Sequence, residues 1–139
     1  MVDKDWTSDR DKAKPILNNP GKCGMTGAQY NAPLKKYIMV QWYYYLGSAH
    51  IEANAHETTF VYLESPTPWG PWTEFGSDRF NPQGYYNPSI VPKFISADGN
   101  QFWIATNGNF FTAFKSGADC LYRFTLLPAT VSLDKPITK

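Results

Sequence analysis

The sequence predicts an all-β protein of two consecutive antiparallel sheet units, and three observations carry that reading. Its strongest apolar runs are β-branched and aromatic. Those runs are separated by turn chemistry built on Pro, Gly, Asn and Asp. The same order of strand, tight turn, strand, long loop, strand, turn and short strand then occurs twice, roughly 60 residues apart.

The N-terminal arm, residues 1–24, is polar and turn-rich. Ser8 to Lys14 allow a helical turn, which Pro15 and Asn18-Asn19-Pro20-Gly21 stop. A short strand is expected near Pro15 to Leu17. The first unit covers residues 25–80. Gly27 to Tyr30 and Lys36 to Trp42 flank the turn Asn31-Ala32-Pro33-Leu34-Lys35 and read as a hairpin. Residues 47–57 form a polar loop, and Thr58 to Glu64 a strand. Ser65 to Pro71 carry three prolines and read as a rigid corner. Trp72 to Phe75 close the unit as a short edge strand.

The second unit covers residues 81–139. Ser89 to Ile95 is expected as a strand leading into the Asp98-Gly99 hairpin signal. Gln101 to Thr106 returns, Cys120 to Leu126 forms the third strand, and Val131 to Leu133 the fourth. Repetition at such a period is the sequence signature of β-propeller blades, each a four-stranded antiparallel sheet. The whole chain reads as a single domain.

Composition narrows the function classes. The 139 residues are 42% hydrophobic and 18% charged, which suits a folded globule. Aromatics reach 17%, enough for strand faces and for rings that stack on sugars. A formal net charge of +1 without a basic stripe argues against nucleic acid. The pair Lys35-Lys36 reads as a solvated turn. Cys23 and Cys120 have no CxxC partner, so free thiols are expected and a disulfide between them stays open. Met1 to Trp6 lack an apolar signal region, and no run reaches membrane-spanning length. The chain as given is expected to be soluble and cytoplasmic.

The wording of the repeated modules is more specific than their period. Trp6-Thr7-Ser8-Asp9, Tyr30-Asn31 before Lys36 to Met39, Ser65-Pro66 with Pro68-Trp69-Gly70-Pro71-Trp72, and Pro92 to Gly99 stand in one order. That order resembles the C-terminal two to three blades of an uncharacterised bacterial family of glycosyl-hydrolase-like five-bladed propellers, similar in turn to the arabinanase and levansucrase clan. The resemblance implies a partial propeller, and full-length relatives of that kind can be secreted. It also implies that the first blade, which holds the nucleophile or base in that clan, has no counterpart here.

Glycoside hydrolysis needs two carboxyl groups flanking the scissile bond. Glu52 and Glu57, with His56, are the weak catalytic candidates, on a loop that also holds His50. Glu64 and Glu74 read as solvent-facing charges. His50, Glu52, His56 and Glu57 match no zinc spacing, so no metal and no cofactor are expected. Tyr85, Tyr86 and Asn87 before one strand, with Asn107 and Asn109 after another, form the ligand-binding candidates, because rings stack on pyranoses and amides pair with hydroxyls. Trp69 and Trp72 read as structural packing.

Three functions follow as expectations: non-catalytic carbohydrate binding, an interaction protein that assembles as an oligomer, and a hydrolase whose site is rebuilt across subunits. Isolated blades leave ring-rich faces uncovered, so a homo-oligomer, most simply a dimer, is expected. The arm is a candidate to add a strand to a neighbouring sheet.

Overall fold

The computed structural model describes residues 7–44, 58–80, 85–108 and 124–131. It contains two open antiparallel sheets, one of four strands in the order β1-β2-β3-β4 and one of three in the order β5-β6-β7. The strands are β1 (Ala28–Asn31), β2 (Lys36–Tyr44), β3 (Thr58–Ser65), β4 (Thr73–Phe80), β5 (Tyr86–Ile90), β6 (Gln101–Asn107) and β7 (Phe124–Thr130). Each sheet follows chain order, as expected of short connections between antiparallel neighbours.

Burial patterns along the strands report how many faces each sheet has covered. In β3, seven of eight residues are buried and the eighth is half-buried, with no alternation. A strand with that pattern is covered on both faces. In β6 buried residues alternate with less buried ones, so only one of its faces meets a core.

The two sheets share that core. Ile38, Val40, Phe60 and Tyr62 of the first sheet pack with Ile90, Phe102, Ile104 and Val131 of the second region. The opposite face of the first sheet carries Met39, Val61 and Leu63, against which Leu17, Tyr43 and Trp72 pack. Leu17 of the arm therefore packs on this sheet. The Gly24 N–H donates to the Trp42 carbonyl at 2.8 Å, and the Trp42 indole donates to the Met25 carbonyl at 2.8 Å. Thr26 Oγ1 donates to the Val40 carbonyl, continuing that edge. A Cβ on Gly24 would lie 2.5 Å from the Trp42 ring, so only glycine fits this approach.

A second lock joins the two sheets through their turns. Asn31, 1% exposed, donates from its side-chain amide to the Gly99 carbonyl at 2.8 Å. Its oxygen accepts the Leu34 N–H at 3.3 Å. Gly99 sits at φ +77, in the left-handed region that glycine adopts without steric cost. The Asp98-Gly99 hairpin signal thus marks a turn that also docks one sheet on the other.

Several expected boundaries move, each for a physical reason. Pro15 to Leu17 form no strand; Arg10–Lys12 make a 3-10 turn capped by Asp9, and Leu17 packs on the sheet instead. β4 runs eight residues beside β3, well past Phe75. β5 begins at Tyr86 and stops at Ile90, because Pro92 opens a 3-10 turn at Pro92–Phe94 where Ser89 to Ile95 reads as one strand. β7 extends to Thr130 and includes Pro128, which an edge strand tolerates. Residues 120–123 and 132–133 lie outside the described residues, so the described part of the second sheet has three strands. The Val131 N–H donates to the Asn100 carbonyl at 2.7 Å. Among the described residues no helix is long and apolar enough to cross a membrane.

Tyrosine burial sets an alkaline limit on this fold. The Tyr62 hydroxyl donates to Asp78 at 2.7 Å, and burial followed by that carboxylate raises its pKa. Burial raises Tyr44 from 10.0 to about 12. Both groups keep their protons in the folded state after the unfolded chain has released them. Their stabilisation is complete below pH 10.0 and is lost as pH rises toward and through about 12. Urea midpoints should therefore fall steadily above pH 10, and Tyr62→Phe should flatten that fall; unchanged midpoints up to pH 12 would contradict this.

Candidate functional site

One end of the second sheet gathers the site features that the structure describes. Tyr86 pairs with Asn107, and Asn107 pairs in turn with Phe124, so the three positions form one row across β5, β6 and β7. The register slips between Tyr86 and Ser89, where β5 carries one residue more than β6. This is a β-bulge at Asn87-Pro88, a device that re-aims side chains beside binding sites. Asn87 takes φ 54, a conformation asparagine tolerates better than most residues, while Pro88 is fully buried. The half-buried Asn87 directly follows Tyr86, whose row holds half-buried Asn107.

Phe124 completes this end. Its ring is 70% exposed, the most open aromatic side chain among the described residues. Cross-strand neighbours share a face, so the ring and the Asn107 amide stand side by side. A bare ring beside the Asn107 carboxamide offers an apolar stacking surface together with a paired donor and acceptor. Among the described side chains of this end, Asn87, Asn107 and Phe124, none is titratable.

The remaining predicted ligand residues divide. Tyr85 is drawn into packing: its ring meets Phe80 edge-on at 5.2 Å and Phe60 at 6.4 Å. The Tyr86 backbone belongs to β5, while its side chain and the whole of Asn109 lie outside the described residues. Phe124 was not singled out by the sequence. The available signal was its place two residues before Leu126 in an alternating strand, which puts both on one face.

The carboxylates do not assemble a hydrolytic pair among the described residues. Glu64 is not a solvated charge: Lys36 Nζ holds both of its oxygens at 2.9 Å across β2 and β3. Lys36 is accordingly half-buried in an ion pair rather than free in a turn. Glu74 is exposed on β4 and pairs with Leu63, whereas Glu64 pairs with Thr73, so the two acids alternate between faces. Glu52, His56, Glu57 and His50 lie outside the described residues. Among the described residues no group of three His, Cys, Asp or Glu side chains could hold a metal ion.

Other features lie apart from this end. A shallow groove of about 320 Å³ lies between β1 and the turn after β5, lined by Gln29, Tyr30, Pro33, Pro92, Ile95 and Ser96 among others. Its polar groups are already engaged. The Gln29 amide donates to the Tyr30 carbonyl at 3.0 Å, and Ser96 Oγ donates to Asp98 at 2.6 Å while accepting the Gln101 N–H at 2.9 Å. The Ser96 hydroxyl and the Asn100 N–H together hold the Asp98 carboxyl below its usual range. Cys23 is a free, exposed thiol whose sulfur accepts the Gln41 amide at 2.9 Å; Cys120 lies outside the described residues. Trp72 packs on Met39, Val61 and Leu63, and Trp69 is 51% exposed at the same corner.

Comparison with protein-family models, with curated proteins and with solved structures finds no match for this chain.

Proposed function

We propose that this chain is a non-catalytic carbohydrate-binding unit, built from blade-like sheets of a glycosidase-like propeller, with its ligand at the Asn87, Asn107 and Phe124 end of the second sheet. The observation that carries the reading is the exposed Phe124 ring beside the Asn107 amide, next to the bulge that turns Asn87. A pyranose presents one apolar face for stacking and a rim of hydroxyls for bidentate amide contacts. Among the described residues this end carries no charged group, which fits a neutral sugar. The blade-like part of the reading is supported by the strand order β1-β2-β3-β4 and by the Gly70-Pro71-Trp72 corner between its third and fourth strands.

Screening on a glycan array, followed by calorimetry on the best neutral glycan, tests the proposal. Phe124→Ala and Asn107→Ala are each expected to weaken binding about tenfold, the scale of one stacking or one amide contact. Binding of no glycan, or an affinity that both substitutions leave intact, refutes it.

A further inference from the structure

We propose that Cys23 is a peroxide-responsive thiol whose sulfenic acid is held by the buried carboxamide of Gln41. The proposal does not depend on sugar binding. Cys23 is exposed, and its sulfur accepts the Gln41 Nε2–H at 2.9 Å. Solvent access is the first requirement of an oxidisable cysteine. The next residue fixes the thiol in place. The Gly24 N–H donates to the Trp42 carbonyl at 2.8 Å, and only a glycine lets the backbone lie this close to the Trp42 ring. Cys23 is therefore pinned over β2 beside Gln41.

The other half of that carboxamide sets this thiol apart from a plain surface cysteine. Gln41 is 0% exposed, and its Oε1 has no hydrogen-bond partner. A buried acceptor without a donor costs free energy, so such an atom in a folded chain calls for a physical explanation. The two amide atoms share one carbon, which puts the unpartnered oxygen next to the nitrogen that touches the sulfur. The thiol offers only a weak S–H donor. A sulfenic acid adds an oxygen to that same sulfur, with a hydroxyl proton to donate and lone pairs to accept. Its hydroxyl supplies the donor that Oε1 lacks, while Nε2 keeps its bond to the sulfur.

Hydrogen peroxide is the oxidant, and the step balances. The sulfur attacks one peroxide oxygen; an S–O bond forms as the O–O bond breaks. Sulfur gives two electrons to the peroxide, and one hydroxyl stays on it as the sulfenic acid. The other hydroxyl leaves as hydroxide and takes the thiol proton to become water. Lys22, directly before Cys23, holds its ammonium 5.6 Å from the Tyr43 ring centroid. Tyr43 lies two residues after Gln41 on the same face of β2, so a positive charge stands on the face where the hydroxide departs.

Peroxide treatment followed by trapping with dimedone, a reagent selective for sulfenic acids, tests this by peptide mass spectrometry. The full chain carries Cys120→Ser, so that the second thiol does not consume the intermediate. A dimedone adduct is expected at Cys23. Trapping after increasing delays should show the sulfenic acid decaying about fivefold faster in Gln41→Leu, the scale of one hydrogen bond, with unchanged near-ultraviolet circular dichroism. Should Gln41→Leu fail to fold, the side-chain amide resonances of Gln41 in the unsubstituted Gln41 chain carry the test, since oxidation should shift them. The absence of an adduct at Cys23, a lifetime that folded Gln41→Leu leaves intact, or Gln41 resonances that oxidation does not move overturns the proposal.

Discussion

Gly99→Ala is expected to destabilise the fold by about 3 kcal/mol or more, read as a lower denaturant midpoint at constant m-value. Two costs combine at this position. Alanine at φ +77 enters the left-handed region, at about 1–2 kcal/mol. The added Cβ would also stand 2.5 Å from Asn31 Oδ1, 2.8 Å from Leu34 Cγ and 3.1 Å from Pro33 Cβ, so the turn of the first sheet has to move. Moving it breaks the bond from the Asn31 amide to the Gly99 carbonyl and leaves a buried amide unpaired, a further cost of about 1–3 kcal/mol. Gly21→Ala separates the two effects. It has a similar φ of +73 but nothing within 4 Å of its added Cβ, so it should lose only about 1–2 kcal/mol. Equal losses at both glycines would remove the turn lock from this account.

Phe60→Ala is expected to cost about 3–5 kcal/mol. Phe60 is 0% exposed and lies at the centre of the core that both sheets share. Its ring meets Phe80 edge-on at 4.9 Å and Tyr85 at 6.4 Å, so truncation removes transfer energy and two ring contacts at once. Neighbouring rings are fixed by strand register and cannot close the cavity by a local shift. Against a typical total of about 5–15 kcal/mol, the variant should be partly unfolded at moderate temperature, visible as a large drop in Tm. A loss below about 1 kcal/mol would mean that this ring does not hold the sheets together.

The strands most legible in the sequence were those whose local chemistry left one option. Thr58 to Glu64 is β-branched and aromatic throughout, and it forms β3 almost to the residue. The hairpin around Asn31 to Lys35 appears as expected, with Lys35 supplying a positive φ. Legibility failed where tertiary contact decides. Pro92 interrupts what reads as a continuous strand, and the segment becomes a 3-10 turn because that turn docks against β1 and β6. Glu64 looked solvated because its partner Lys36 lies 28 residues away and meets it only through the β2–β3 register. The extent of β4 could not be read from Gly76 and Asp78, which are poor strand formers; pairing with β3 and the Tyr62–Asp78 bond hold them there.

The candidate site was legible in part for the same reason. Asparagines beside tyrosines pointed to one end of the second sheet, where Asn87 lies in the bulge and Asn107 pairs with Tyr86 and Phe124. The roles of individual rings depended on which face each occupies. Tyr85 turned into the core, while Phe124, hidden in an apolar run, turned outward.

Native-state hydrogen exchange on the wild-type chain and on Gly99→Ala tests the central claim, a common core clamped by the Asn31–Gly99 contact. Slowly exchanging amides of β2, β3 and β6, such as those of Val40, Phe60 and Ile104, should open at one shared free energy and fall together in the variant. Protection that drops in β6 while β2 and β3 keep theirs would mean that the sheets fold independently, contrary to a single shared core.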